Sequence, residues 1–489
     1  MRQVIFGLFL LLAGPFAAAQ NIYVVSNTSD FGPGSLRGAI QSMQFNGSSQ
    51  IIRFQLDPFA QITLTADLPA LVGSQVEIIA TDSPNLLIDG AQFAIFRYSG
   101  PSFLMRNLTL ANGSGTSAGC LQLNTSISAQ IYDSQFIGCT TLGSAASGSG
   151  GGAIFSFGPL RLTRTRFLNN RAVDGGISNL SLGGGAVAFQ GSSLLIEDSE
   201  FRGNQTVRTL TSGGGCVDAV GAALSLTAGA NGIVINRSIF EDNNHRCQNN
   251  GGAIGGQGGA ISFFGPSSGI APVVSIGDSY FANNRADNGA GIFARAVKLN
   301  ISNSSFYQNL GRGAGAIFLT AGFGTPPAPE LRLVNNTFWR NGTALSNFGA
   351  DLTLGASSIV RDIRNTIFAP SQTGLNCGSS IINSDAGAVN FVTSDSCLVS
   401  VAAKIVTLQF AGTNTFGLQP PALIGGTVPV MNLSTGSAAI DNGTSANCPA
   451  TDGRGLSRPF DGDNNGIAIC DVGAVEYRPE LVFANGFEN

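Results

Sequence analysis

The chain has 489 residues, 66 of them Gly, with 43% apolar but only 11% charged residues and a formal net charge of −4. High apolar content with little charge excludes intrinsic disorder, and Gly without a three-residue period beside only 19 Pro excludes collagen. Lys298 and Lys404 are the two lysines among 25 basic residues, which leaves no polybasic footprint for nucleic acid. At the start of the chain, Met1 to Ala19 carry Arg2, an apolar run from Val4 to Leu12, a Pro15 break and Ala17-Ala18-Ala19. That order is expected of a secretory signal peptide cut near Ala19. No later stretch offers some 20 consecutive apolar residues, so the mature chain is expected to lack a transmembrane span. Next, Ser35 to Phe45 read as a short helix, with Ser35 as its N-cap and Leu36, Ala39, Ile40 and Met43 on one face.

Two phrases recur through the middle of the chain. Gly-Gly-Ala-aliphatic occurs at Gly151 to Ile154, Gly184 to Val187, Gly251 to Ile254 and Gly258 to Ile261, with variants at Gly221, Gly289 and Gly315. Phe-x-x-Asn begins at Phe167, Phe201, Phe240, Phe281, Phe306 and Phe338, while Phe136 has Cys139 where Asn would stand. Between the phrases lie short alternating segments such as Leu194 to Asp198 and Val297 to Ile301, a period-two strand pattern. A unit repeating every 25 to 41 residues, with short strands and Gly at its corners, describes a parallel β-helix. Gly would supply positive φ or close backbone approach at the corners. Successive Phe rings would stack and successive Asn amides would ladder at the strand spacing. The helix at Ser35 would plug the N-terminal opening, since a solenoid must cover its exposed end.

Eight cysteines fit an oxidising compartment. Taken as sequential neighbours they pair Cys120 with Cys139, Cys216 with Cys247, Cys377 with Cys397 and Cys448 with Cys470, among 105 connectivities that eight thiols allow. With one His in the chain, His245, a zinc site is not expected, and His245 reads as a loop residue beside a disulfide. Acids that adjacent coils could align for glycoside chemistry are Glu197, Asp198, Glu200, Asp242 and Asp278, and Asp362 with Arg364 faintly echoes a calcium-dependent lyase. Trp339, Tyr280 and Tyr307 are the aromatics from which a sugar-stacking cleft could be built. Near the end, Asp461-Gly-Asp463-Asn-Asn465-Gly466 spaces side-chain oxygens as a calcium loop does, making Asp461, Asp463 and Asn465 candidate ligands for a structural calcium. Val472 stands at the twelfth position, so Asp471 or Glu476 would have to provide the last carboxylate.

The repeated phrases resemble those of the chlamydial polymorphic outer membrane proteins and related bacterial β-helix proteins. Gly32 to Ile40 is similar to the opening motif of CSLREA-type domains, with Gly34 and Gly38 in place of its Cys and acid. Ala439-Ile440-Asp441, Asp452-Gly-Arg454-Gly455, Arg458-Pro459 and Cys470 to Glu476 resemble the choice-of-anchor Q module. These resemblances imply a secreted or cell-surface protein of a Gram-negative bacterium, in the periplasm or at the outer membrane. The segment after Asp471 is too short for the translocator barrel of the polymorphic proteins, so self-translocation is not expected.

The expected architecture is therefore an all-β, right-handed, single-stranded parallel β-helix with a short N-terminal capping helix. Its parts are a signal peptide at 1–19, an N-terminal cap and first coils at 20–115, a repeat region at 116–370, and last coils with a C-terminal cap at 371–489. The leading expectation is a monomeric, non-catalytic adhesin or polysaccharide binder, its partner a polysaccharide or another cell-surface ligand and not nucleic acid. A polysaccharide lyase or glycoside hydrolase and a structural envelope protein are the alternatives.

Overall fold

The computed structural model describes residues 20–43, 48–124, 127–143, 150–174, 183–210, 220–227, 232–249, 256–322, 325–345, 348–355, 357–378, 388–393, 395–397, 404–407 and 416–480. The expected signal peptide and its cleavage position at Ala19 lie outside these residues, as does Cys216.

Among the described residues, the strands form four sheets of 12, 13, 8 and 10 strands, here sheets I to IV. One coil visits them in turn: Leu160–Thr163 in sheet I, Arg166–Leu168 in II, Arg171–Asp174 in III and Val187–Phe189 in IV, after which Leu194–Glu197 re-enters sheet I. Each strand pairs in parallel with its equivalent in the next coil, as Phe167 with Phe201 and Val187 with Leu224. The fold is an all-β parallel β-helix. Every turn of it is a strand-crossover-strand connection, for which the right hand is the rule.

Strands of two to six residues suffice because all but the end strands of each sheet are hydrogen-bonded on both sides, and alternate side chains enter a core that runs the length of the solenoid. Phe136, Phe167, Phe201, Phe240, Phe281, Phe306, Phe338 and Phe368 form one face-to-face column. Its centroid steps run from 4.7 to 5.1 Å and its interplanar angles from 3° to 9°. Isolated rings prefer an offset or edge-on approach, so the strand ladder sets this spacing.

Beside the rings runs the expected amide ladder. Asn170 Nδ2 donates to Asn204 Oδ1 at 3.0 Å, and the pattern repeats through Asn243, Asn284, Asn309 and Asn341. Each Nδ2 also donates to a Phe carbonyl one coil back, as Asn204 does to Phe167, so a buried amide spends both its hydrogens. At one end, Cys139 takes the Asn position and turns inward to Cys120. At the other, Asp351 accepts from Asn341 at 2.9 Å and from Asn376 at 2.6 Å.

A second row stands two residues before each Phe: Ser134, Thr165, Ser199, Ser238, Ser279, Ser304, Asn336 and Thr366. Backbone N–H groups of one coil donate to the side-chain oxygens of the next, as Thr165 does to Ser199 and Ser199 to Ser238. The residue before each of these takes a left-handed conformation. Asp133, Arg164, Asp198, Arg237, Asp278, Asn303, Asn335 and Asn365 have φ between 45° and 55°.

Both kinds of Gly corner and the capping helix are found. Gly152 and Gly185 do not have positive φ; a Cβ on either would overlap a carbonyl oxygen of the neighbouring coil, so close approach is what requires glycine there. Gly221, with φ 52°, is the positive-φ case. The helix spans Leu36–Ser42, with Ser35 as N-cap accepting from Gly38 N, and it also buries Arg37, whose guanidinium pairs with Asp30 at 2.8 Å.

Residues 416–480 depart from expectation. They do not continue the solenoid as an end cap but lie along the outer face of sheet II. Phe416, Leu418, Met431, Val472, Val475 and Tyr477 pack onto Tyr280, Ala282, Trp339, Ile367 and Phe391. The left-handed row registers this segment: Asn303 donates to Thr451 O at 2.8 Å, Asn335 to Asp471 O at 2.9 Å and Asn365 to Thr444 O at 2.9 Å.

Candidate functional site

The motif residues of the C-terminal segment form a buried ionic network. Asp452 holds Arg454 at 2.6 Å and Glu476 holds Arg458 at 2.8 Å, all four side chains fully buried. Asp471 accepts from the backbone N–H of Asp441 at 2.6 Å and of Tyr477 at 2.5 Å, while Arg458 also donates to Gly473 O at 2.9 Å. Burial raises both carboxyls above their usual range. Each charge disfavours the other at Asp471, and Arg458 offsets part of the rise at Glu476. Asp362 and Arg364 make a similar buried pair at 2.7 Å, with Arg364 reaching Ala446 O, so the echo of a lyase site is a structural contact.

Asp461 and Asp463 come together with Asp441, one oxygen of each within 4.8 Å of the others. This trio could hold a hard cation. Asn465 instead donates its amide to Asp463 and accepts from Ile467 N, and Asp471 and Glu476 are committed to the buried network. Asp441 is the carboxylate that sequence spacing could not supply, because it lies 20 residues before Asp461 and arrives through the fold.

Three of the sequential disulfides lie in described residues: Cys120–Cys139, Cys377–Cys397 and Cys448–Cys470, with Cα separations of 5.7, 5.0 and 6.3 Å. The pair Cys216 with Cys247 falls outside them.

Most candidate catalytic acids face guanidinium groups. Glu197 pairs with Arg161 at 2.9 Å, Asp198 with Arg237 at 2.7 Å, and Glu200 with both Arg166 and Arg202 at 2.6 Å. The arginines beside Glu200 hold its carboxyl below the usual range against the opposing effect of burial. Asp278 is raised chiefly by burial and accepts from Asn303. Tyr280 and Trp339 are 4% and 6% exposed beneath the C-terminal segment, and Tyr307 packs there too, so none of the three opens a sugar-stacking cleft. His245 is not a loop residue: it sits in the strand Asn244–Asn249 of sheet III, pointing inward and 1% exposed, with Gly256 against its ring.

The strand that buries His245 turns its neighbours outward, because side chains alternate. Asn244 and Arg246 face solvent there with Asp242, Asn283, Arg285 and Gln308, lining a groove of about 520 Å³ along the corner between sheets II and III. Asp242, Asn283 and Gln308 are the left-handed residues of successive Phe-x-x-Asn turns, with φ 57°, 55° and 53°. Asn244, Arg285 and Leu310 are in-register partners on successive coils. The groove thus presents an amide on each of three successive coils, Asn244, Asn283 and Gln308, with guanidinium groups on two of them and Leu310 on the third. Its signal in the sequence is the residue before each ladder Asn and the residue after it, of which sequence reasoning singled out Asp242 alone, and as an acid rather than as part of a row. A wider depression of about 810 Å³ lies on sheet I, where Glu330 pairs with both Lys298 and Arg361.

No protein-family model matches the chain, and no curated protein matches it. Among solved structures, the crystal structure of pectate lyase Pel9A is similar at 12% identity and a TM-score of 0.40, covering 94% of this chain and 97% of that one. Here the β-helix is established by the chain's own strand ladders. No helix among the described residues is long and apolar enough to cross a membrane.

Proposed function

We propose that this chain is a non-catalytic extracellular protein of a Gram-negative cell, secreted or held at the surface, that binds polysaccharide along the lateral face of its β-helix. The groove between sheets II and III carries this reading. It is open, and amide groups recur along it on successive coils with guanidinium groups on two of them, which suits a chain of hydroxylated units. Support for a non-catalytic role comes from the pairing of Glu197, Asp198 and Glu200 with arginines, which satisfies those carboxylates within the protein. A lyase or hydrolase is the second reading, and the observation in its favour is that Asp242 shares the groove with Arg246 and Arg285.

A glycan array probed with the mature chain tests the proposal. Binding to extended polysaccharides, weakened by Asn283→Ala and Gln308→Ala, is the expected result. A blank array, with the variants behaving like the parent, would remove it.

A further inference from the structure

Charge is distributed unevenly around the coil. On sheets I and II and in the turn between them, Arg161, Arg164, Arg166, Arg202, Arg237 and Arg361 each lie within 4 Å of a carboxylate. Among the described residues, Arg53, Arg106 and Arg332 on sheet I stand exposed without a carboxylate partner, and sheet III carries one ion pair, Arg312 with Asp287 at 3.9 Å, so what sets sheet III apart is a row in register. Arg171, Gln205, Asn244 and Arg285 stand in register on four successive coils, and Arg246 lies two residues beyond Asn244 on the same side of its strand. Arg171, Arg246 and Arg285 are exposed, and among the described residues none has a carboxylate within ion-pair distance. Asp242 is the acid that lines the same groove, facing two guanidinium groups there.

A chain with a net charge of −4 gains no general attraction for polyanions, so a local row of uncompensated guanidinium groups acts by position. Guanidinium presents a planar fork of donors that matches a carboxylate or sulfate, and the amides between supply the mixed donors and acceptors that hydroxyls need. From Arg171 to Arg285 there are three coil steps, about 14 Å at the strand spacing. Neighbouring acidic groups of one extended polymer can therefore be met by different coils.

We infer that sheet III and its corner with sheet II bind an acidic polysaccharide, its carboxylate or sulfate groups paired with Arg171, Arg246 and Arg285. This rests on the polysaccharide-binding reading above and names its ligand class. The test is retention of the full mature chain on polygalacturonate, a sulfated glycan, neutral dextran and double-stranded DNA across a salt series. Each polymer is also titrated against Arg246→Gln, Arg285→Gln and, as a control, Arg361→Gln on sheet I.

Expected are binding to the acidic glycans that weakens with salt, a loss of about tenfold for each sheet III variant, and parent-like affinity for Arg361→Gln. Binding to either acidic glycan supports the inference, and the ratio between them assigns the anion. Equal binding to dextran, or acidic binding insensitive to both sheet III variants, overturns it while leaving polysaccharide binding in place. Equal or tighter binding to DNA overturns it as non-specific attraction. Failure on every glycan removes the broader proposal with it. Circular dichroism of these surface variants separates lost binding from lost folding.

Discussion

Left-handed backbone at a non-glycine residue costs about 1 kcal/mol or more, and the row from Asp133 to Asn365 adopts it once per coil. Which residues fill the row depends on what covers it. Where it meets solvent it reads Asp133, Arg164, Asp198, Arg237, and Arg164 binds Asp133 through two bonds of 2.6 and 3.0 Å as Arg237 binds Asp198. Beneath the C-terminal segment it reads Asn303, Asn335, Asn365, neutral amides that bond the covering backbone without a buried charge. Sequence reading found the Phe and Asn rows because one residue type repeats. It missed this row, where Asp, Arg and Asn share only a φ, and the hydroxyl row, where Ser, Thr and Asn alternate. Asp351, fully buried at the end of the amide ladder, is raised to about 7 by desolvation, with Asn376 and Asn341 opposing. Its folded pKa exceeds its unfolded value, so its contribution is intact below about pH 4 and declines as pH rises through about 7. Asp351→Asn should therefore melt at a higher temperature than the parent at pH 8, with the gain shrinking toward pH 4. A gain independent of pH in differential scanning calorimetry would contradict this. Asn243→Ala removes an amide that donates to Phe201 O and Asn284 Oδ1, and it takes away the Oδ1 that accepts from the backbone N–H and the side-chain amide of buried Asn204. A loss of about 2 to 4 kcal/mol in urea unfolding is expected, and a loss below 0.5 would show the ladder to be dispensable.

At the scale of elements, the strands, their parallel stacking and the capping helix were legible, because period-two segments between repeated phrases leave few alternatives. Placement of residues 416–480 was not. Its motifs are read as a terminal cap, yet Asp452, Arg454, Arg458 and Glu476 are buried in the network that shapes a lateral clamp over sheet II. Nothing local in the sequence encodes that docking. It rests on contacts separated by more than 130 residues, such as Asn335 with Asp471 and Thr337 with Ala474. Removing one partner of a buried ion pair costs about 3 to 5 kcal/mol because the other charge stays uncompensated. Arg458→Ala leaves Glu476 in that position. The single tryptophan, Trp339, is 6% exposed under the clamp and reports its departure. In the variant, tryptophan emission should move to longer wavelength in less denaturant than melts the far-ultraviolet β signal. Coincident transitions would mean that the clamp and the β-helix unfold as one.

For the whole molecule, coils contact mainly their neighbours, so a solenoid frays from its ends unless something crosses coils. The bond between Cys120 and Cys139 links non-equivalent positions in the core at the start of the amide ladder, and the bond between Cys377 and Cys397 ties the last coils. Peptide mapping of the unreduced protein should recover these two bonds together with Cys448 to Cys470, and the sequential reading adds Cys216 to Cys247. A crossed pair such as Cys139 to Cys216 would contradict it. Low charge, first met as a bare composition, now has a distribution: ion pairs concentrated along sheets I and II and the turn between them, neutral amides under the clamp and an in-register row with unpaired guanidinium groups on sheet III. The proposal that this surface holds a polysaccharide without cutting it is tested most directly by prolonged incubation of the mature chain with a polymer it retains, followed by chromatographic sizing of that polymer. The account predicts an unchanged length distribution and no unsaturated or reducing oligosaccharide products. Progressive shortening, abolished by Asp242→Asn, would contradict it and make the groove an active site.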